Sequence, residues 1–334
     1  MRWAAVAMGS VFVLTVLTGT LLLPRIRRAA ASQPIRHNGP KSHFKKAGTP
    51  TFGGSFFLIP IVLSAIVAIA INVRYRTFLI MVVCMLLYGV VGFFDDFIKV
   101  RVSKKGLSVR QKTVFLGLIS VLIAVYAVWL APVDPFIIVP FTARRVLIVG
   151  PWKIVYAIIL VPFLFYMGNA VNLTDGIDGL LSSVMTVATL GLFVTVAMLA
   201  PFIPDAASIM MLLLAIAGGC LGFLCFNHYP AKIFMGDTGS QALGIGFAVA
   251  TVLSGMPYLA IITGFVFFFE GLSVVMQVLY FRATGGKRIF RMSPIHHHFE
   301  LGGWSERKIV RVFSVVGLVA AAIGFAIVAR PLGG

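Results

Sequence analysis

Residues 76–112 read RTFLIMVVCMLLYGVVGFFDDFIKVRVSKKGLSVRQK. From 77 to 94 the run is almost wholly apolar; Asp95 and Asp96 then stand side by side, and six cations follow before residue 113 with no acid among them. A spanning helix needs about 20 mostly apolar residues. The run therefore reads as a membrane helix that ends in an acid pair at one membrane face, with a basic loop behind it. Adjacent positions on a helix point in different directions, so the two acids cannot be equivalent. One faces a metal or substrate and the other takes a structural partner; the plainer alternative is a pair of solvated acids balancing the loop. Carboxylates at the membrane boundary are costly to bury and are usually paired or functional.

The rest of the chain repeats the apolar pattern. Its 334 residues are 60% hydrophobic and 11% charged, and the mean hydropathy is +1.02, which excludes a soluble enzyme. Ten stretches qualify as spans: 4–24, 53–73, 77–94, 113–131, 153–170, 180–200, 207–226, 239–256, 258–281 and 309–329. The expected architecture is an all-α integral membrane protein of about ten transmembrane helices, with 1–334 as a single polytopic domain. The first span is followed at once by Arg25, Arg27 and Arg28, which favours its retention over cleavage as a signal peptide. A bend is expected in the ninth span near Gly264 and Gly271. Cys84, Cys220 and Cys225 lie in apolar runs and read as small core residues.

Threading the spans alternately sorts the charges. Of the 28 Lys and Arg, only Arg2, Arg74, Arg76, Arg144, Arg145, Lys153 and Arg330 fall on the side opposite the Asp95–Asp96 loop. Cytoplasmic loops accumulate cations, so the acid pair faces the cytoplasm and both termini lie outside. The same rule accounts for the net charge of +18 without a nucleic-acid partner.

Seven of the ten carboxylates share that cytoplasmic side: Asp95, Asp96, Asp175, Asp178, Asp237, Glu300 and Glu306. In NAVNLTDGIDGL (169–180) a spacing of three places Asn172, Asp175 and Asp178 along one helical face. They suit hydrogen bonding to a sugar or base, or water-mediated metal binding; a helix N-cap explains one of these acids but not the array. In NHYPAKIFMGDTGS (227–240) Asp237 precedes a span. It suits Mg²⁺, which takes few protein oxygens and keeps waters and phosphate oxygens. A helix N-cap is compatible with that role. Phe234 offers an aromatic face.

The loop 282–308 holds His296, His297 and His298 in a row. Consecutive residues diverge and no second ligand set stands at zinc spacing, so donation to phosphate oxygens is the better reading. The first loop has seven cations and no acid; membrane anchoring explains most of them, while Lys46 and Thr51 in its Gly- and Thr-rich end suit a nucleotide or phosphate. Glu270 is the sole mid-span acid, with Gln277 seven residues on.

KAGTPTFGG (46–54), FFDDF (93–97), NAVNLTDGIDGL, NHYPAKIFMGDTGS and PIHHHFE (294–300) occur in one order. Together they resemble the phospho-N-acetylmuramoyl-pentapeptide transferase family, within the polyprenyl-phosphate N-acetylhexosamine-1-phosphate transferases; PIHHHFE points to the muramoyl-pentapeptide branch. The resemblance implies a ten-helix enzyme with a cytoplasm-facing cleft in the bacterial inner (plasma) membrane, acting as a homodimer. It implies transfer of phospho-MurNAc-pentapeptide from UDP-MurNAc-pentapeptide to undecaprenyl phosphate, giving lipid I and UMP with Mg²⁺. The expected catalytic set is Asp95, Asp96, Asp237, His297 and Lys112, with Asp237 the metal ligand. Lys46, Thr51, Asn172, Asp175, Asp178, Asn227, Phe234, Gly236, Gln277, His296 and His298 are the expected substrate contacts. Two rivals remain: a sibling transferase for UDP-GlcNAc, and an ion-coupled transporter, which would need acids near the bilayer midplane.

Overall fold

A computed structural model describes residues 2–29, 48–103, 105–142 and 144–329. Helices α1 (Arg2–Arg28), α2 (Ser55–Ile71), α3 (Arg76–Arg101), α4 (Val109–Val125) and α5 (Trp152–Thr174) are followed by α6 (Leu180–Met198), α7 (Ala206–Asn227) and α8 (Gly236–Leu253). The short α9 (Leu259–Ile262), then α10 (Phe265–Ala283), the short α11 (Ile295–Leu301) and α12 (Glu306–Ala329) complete the order. The ten long helices coincide with the ten expected spans, and the protein is an all-α membrane protein. Eight of them are long and apolar enough to cross a membrane by length and composition. The other two are α2, which is short at 17 residues, and α8, whose first two turns carry Asp237, Thr238, Ser240 and Gln241.

α7 and α8 form the centre. Nearly every residue of both is buried, as expected of helices apolar on all sides. In lipid the hydrophobic effect does not drive helices together, so close contact depends on small residues that let backbones approach. Here α3 meets α8 at Gly89 and Gly92, and a Cβ on Gly92 would collide with the carbonyl of Asp237. α8 meets α5 where Gly244 lies against Gly168, and α1 meets α7 at Gly218 and Gly222. Thr18 of α1 also donates to the Phe56 carbonyl of α2 at 2.6 Å.

Gly92→Ala should therefore push α3 from α8, at a cost of about 1–3 kcal/mol for overpacking, and should lower both the thermal midpoint and activity. Gly117→Ala is the control, since nothing lies within 4 Å of a Cβ there. Equal midpoints for the two variants would contradict the packing account.

Two departures from the sequence reading bear on the site. α3 runs on through Asp95 and Asp96 to Arg101, so the acids sit within the helix and not at its end. α5 stops at Thr174, so Asn172, Asp175 and Asp178 do not share a helical face: Gly179, at φ 77°, turns the chain into α6. The bend expected in the ninth span is a break at Thr263–Gly264, while Gly271 lies in unbroken helix. A hairpin of β1 (Phe136–Ile138) and β2 (Arg145–Leu147), paired Phe136 to Leu147 and Ile138 to Arg145, stands between α4 and α5. It was not expected, although the apolar β-branched runs around FIIV and RVLIV were its signal.

Candidate active site

The C-terminal ends of α3 and α5 and the N-terminal ends of α4 and α8 meet at one end of the bundle. α4 is started by a capping box: Ser108 accepts from the Gln111 amide at 3.2 Å and Gln111 accepts from the Ser108 amide at 3.0 Å. This sets Lys112 one turn in. Its ammonium lies 2.5 Å from Asp237 Oδ2 and 3.8 Å from Asp95 Oδ2. Lys99, one turn beyond Asp95 on α3, lies 2.6 Å from the same Asp95 oxygen and 3.2 Å from Asp237 Oδ2. Two lysines thus bridge two carboxylates drawn from sequence positions 142 apart. The Asn172 amide donates to Asp237 Oδ1 at 3.1 Å and to Ser240 at 2.7 Å.

The acid pair divides as helical geometry requires. Asp95 accepts from the Leu107 amide at 2.8 Å and faces the lysines. Asp96 turns to α8, accepting from the amides of Asp237 at 3.1 Å and Thr238 at 3.0 Å and from the Thr238 hydroxyl at 2.8 Å. It caps the first turn of α8 from another helix, satisfying donors that a helix N-terminus leaves unpaired. Asp237 keeps 16% of its side-chain surface open and Asp95 only 3%, so an incoming group meets Asp237 first.

Loops brace this centre. The segment 50–54 pairs with the approach to α8: Phe234 donates to Pro50 at 2.8 Å, and Gly53 and Gly54 donate to Phe234 and Met235 at 2.9 and 2.8 Å. Thr51 and Asp96 border Gly236, whose φ of 77° and crowded Cβ position demand glycine. Asn227 accepts from Gly179 and donates to Ile233. Asp178 accepts from the Ala231 amide at 2.9 Å, and Glu306 accepts from the Asp178 amide at 3.3 Å. Gln277 accepts from the amides of Ile289 and Phe290. Asp175, at the end of α5, is pushed well above the usual carboxylate range by burial and then by the nearby carboxylates of Asp237, Asp96 and Asp178.

The three histidines lie on α11 and take different partners. His296 is buried against Glu270; the His297 Nδ1 lies 3.1 Å from Glu300 Oε2; and the His298 Nδ1 accepts from the Arg291 amide at 3.1 Å. A Cβ on Gly176 would collide with His296 Nε2, so α11 abuts the loop that follows Asp175.

Of the expected residues, Asp95, Asp96, Lys112, Asn172 and Asp237 are brought together directly, with Thr51 and Gly236 beside them. Asp178, Asn227, Gln277 and His298 hydrogen-bond to the protein's own loops. Phe234 is half-buried at the edge, and Lys46 lies outside the described residues. The basic spacing before residue 113 made Lys99 visible, but it was not singled out; its place one turn after Asp95 was the signal. Among the described residues no group of three or more His, Cys, Asp or Glu is arranged to hold a metal. A cation here would depend on one or two carboxylates, which suits Mg²⁺. The donor set fits: ammonium groups already stand on Asp237 Oδ2 and Asp95 Oδ2, where a cation would sit.

The profile described as Glycosyl transferase family 4 matches residues 78–255, which run from α3 to just past α8 and include the acid–lysine cluster. Relatives match nearly end to end. A protein of Acetivibrio thermocellus named phospho-N-acetylmuramoyl-pentapeptide-transferase is 44% identical over 316 residues, 94% of this chain and 92% of its own. One of the same name from Listeria innocua is 41% identical over 320 residues, 95% of each chain. A third, from Desulforudis audaxviator, is 41% identical over 332 residues, 96% of this chain and 97% of its own.

Proposed function

The chain belongs to glycosyl transferase family 4, among its phospho-N-acetylmuramoyl-pentapeptide transferases, and from that membership we infer its reaction. It transfers phospho-MurNAc-pentapeptide from UDP-MurNAc-pentapeptide to undecaprenyl phosphate, giving lipid I and UMP. The observation that carries the chemistry is the pair of lysines held between Asp95 and Asp237 at a helix end. A soluble diphosphate and a lipid phosphate can meet only where water meets bilayer.

Phosphoryl transfer depends on positioning and on neutralising charge along the reacting phosphates. Asp237 would hold Mg²⁺, which supplies that neutralisation between the two phosphates. Lys99 and Lys112 keep about a fifth of their side chains open and would pass from carboxylate to phosphate oxygens as substrate arrives. Asn172 fixes the Asp237 carboxylate, and Asp96 fixes the helix turn that carries it. The nucleotide is assigned to Asp175, Thr51, Phe234 and Gly236. His297, oriented by Glu300, stands at the sugar and diphosphate end. The acceptor phosphate has a second pKa of about 6 if it behaves as a monoester, so it is largely dianionic at neutral pH. A single in-line displacement then needs no strong base, and both oxygens of Asp95 are already engaged by Lys99 and the Leu107 amide. Cation placement supports a cytoplasmic site in the bacterial plasma membrane, and the family reading supports a homodimer.

The sibling reaction with UDP-GlcNAc is not favoured, because the relatives sharing the whole chain carry the muramoyl-pentapeptide name. Purified protein with undecaprenyl phosphate and Mg²⁺ should release UMP from UDP-MurNAc-pentapeptide and not from UDP-GlcNAc. The reverse preference, or no release from either donor, would overturn the assignment. A two-step route through an aspartyl intermediate would instead exchange labelled UMP into the donor without lipid acceptor; the expected result is no exchange.

A further inference from the structure

Glu270 and His296 are both wholly buried, and Glu270 Oε1 lies 3.0 Å from His296 Nδ1. The second polar atom of each, Glu270 Oε2 and His296 Nε2, is buried without a hydrogen-bond partner. Burying an ionisable pair with half of its polar atoms unsatisfied is costly, and such atoms in a native fold call for a reason. The surroundings supply one. The Nε2 edge of the ring is pressed on Gly176, where a Cβ would collide with it, and Gly176 follows Asp175 directly. The ring also lies 4.1 Å, centroid to centroid, from His297, whose own Nδ1 is held by Glu300. A carboxylate at Nδ1 fixes an imidazole's tautomer and orientation. Glu270 therefore sets a buried ring that touches two segments of the site.

We propose, on the strength of the transferase assignment above, that Glu270 and His296 are positioning residues for the nucleotide sugar. The pair holds the 175–179 loop and His297 in register, and Gly176 is the contact through which it acts on the nucleotide end. The bond from Glu270 to Nδ1 leaves Nε2 as an acceptor directed at the loop backbone. The role assigned to His296 thereby moves from substrate contact to support of the loop that makes one.

The full-length purified enzyme tests this through Glu270→Ala, Glu270→Gln and Gly176→Ala, with the KM values for donor and lipid acceptor measured separately. Glu270→Ala should raise the donor KM about tenfold or more, as displacement of a binding loop does, and leave the acceptor KM unchanged. Glu270→Gln, which still offers Nδ1 an acceptor, should recover most of that loss. Gly176→Ala, whose new Cβ meets Nε2, should raise the donor KM as Glu270→Ala does, and it remains informative if Glu270→Ala does not fold. Unchanged donor KM values, or a fall in kcat with both KM values intact, would overturn the proposal and leave the pair a purely structural one. A wild-type enzyme that makes no lipid-linked product would instead defeat the transferase assignment on which it stands.

Discussion

Asp237→Asn is expected to lower turnover at least about a thousandfold, some 4 kcal/mol of transition-state stabilisation, with little change in thermal midpoint. Asparagine has the same shape and can still accept from Asn172 through Oδ1, so the first turn of α8 keeps its place. What it loses is the charge that gathers Lys112 at 2.5 Å and Lys99 at 3.2 Å, together with the anionic oxygen that a hard divalent cation requires. Metal-assisted neutralisation of reacting phosphates is worth several kcal/mol, and the loss of organised lysines adds to it. The check is kcat of the purified variant across a Mg²⁺ series. Near-normal, Mg²⁺-dependent turnover would remove Asp237 from the metal role.

Asp96→Asn should also cost activity, but by a different route. Asp96 accepts from the Asp237 and Thr238 amides and from the Thr238 hydroxyl, and an asparagine would turn its NH₂ toward at least one of them. A buried donor left unpaired costs about 1–3 kcal/mol, so the thermal midpoint should fall by a few degrees. The first turn of α8 would then shift, and a displacement near 1 Å at a reacting group costs on the order of a hundredfold in rate. Loss of stability and loss of rate should therefore travel together in Asp96→Asn and separate in Asp237→Asn. An Asp96→Asn enzyme that is inactive and as stable as wild type would mean that Asp96 acts on the phosphates directly.

The contrast between these neighbours shows what could be read from residues alone. Ten long helices and the gathering of the acids at one end of the bundle follow from apolar run length and alternate threading, because bilayer thickness is written into local sequence. The inequivalence of Asp95 and Asp96 was also legible, since it depends only on the helical turn. Which acid does what was not, because the partners of Asp96 lie 141 and 142 positions away. The same holds for Asn227 and Gln277: each was expected as a substrate contact, and each holds a loop that local pattern does not place. Asn172, Asp175 and Asp178 misled for a different reason. Their spacing suits a helix, but the helix ends at Thr174, where the glycine-rich DGIDG sequence permits a turn. The break at Gly264 was readable, and the hairpin between α4 and α5 was signalled but overlooked among longer apolar runs.

In the inferred reaction the phosphate travels with the sugar, and the fate of the donor's two phosphates decides whether it does. UDP-MurNAc-pentapeptide labelled at the β-phosphate, given to the purified enzyme with undecaprenyl phosphate and Mg²⁺, should deliver its label to the lipid fraction, while α-labelled donor yields labelled UMP. Recovery of the β-label in free UDP, with the sugar in the lipid fraction, would mean that the sugar moves without its phosphate and would contradict the account.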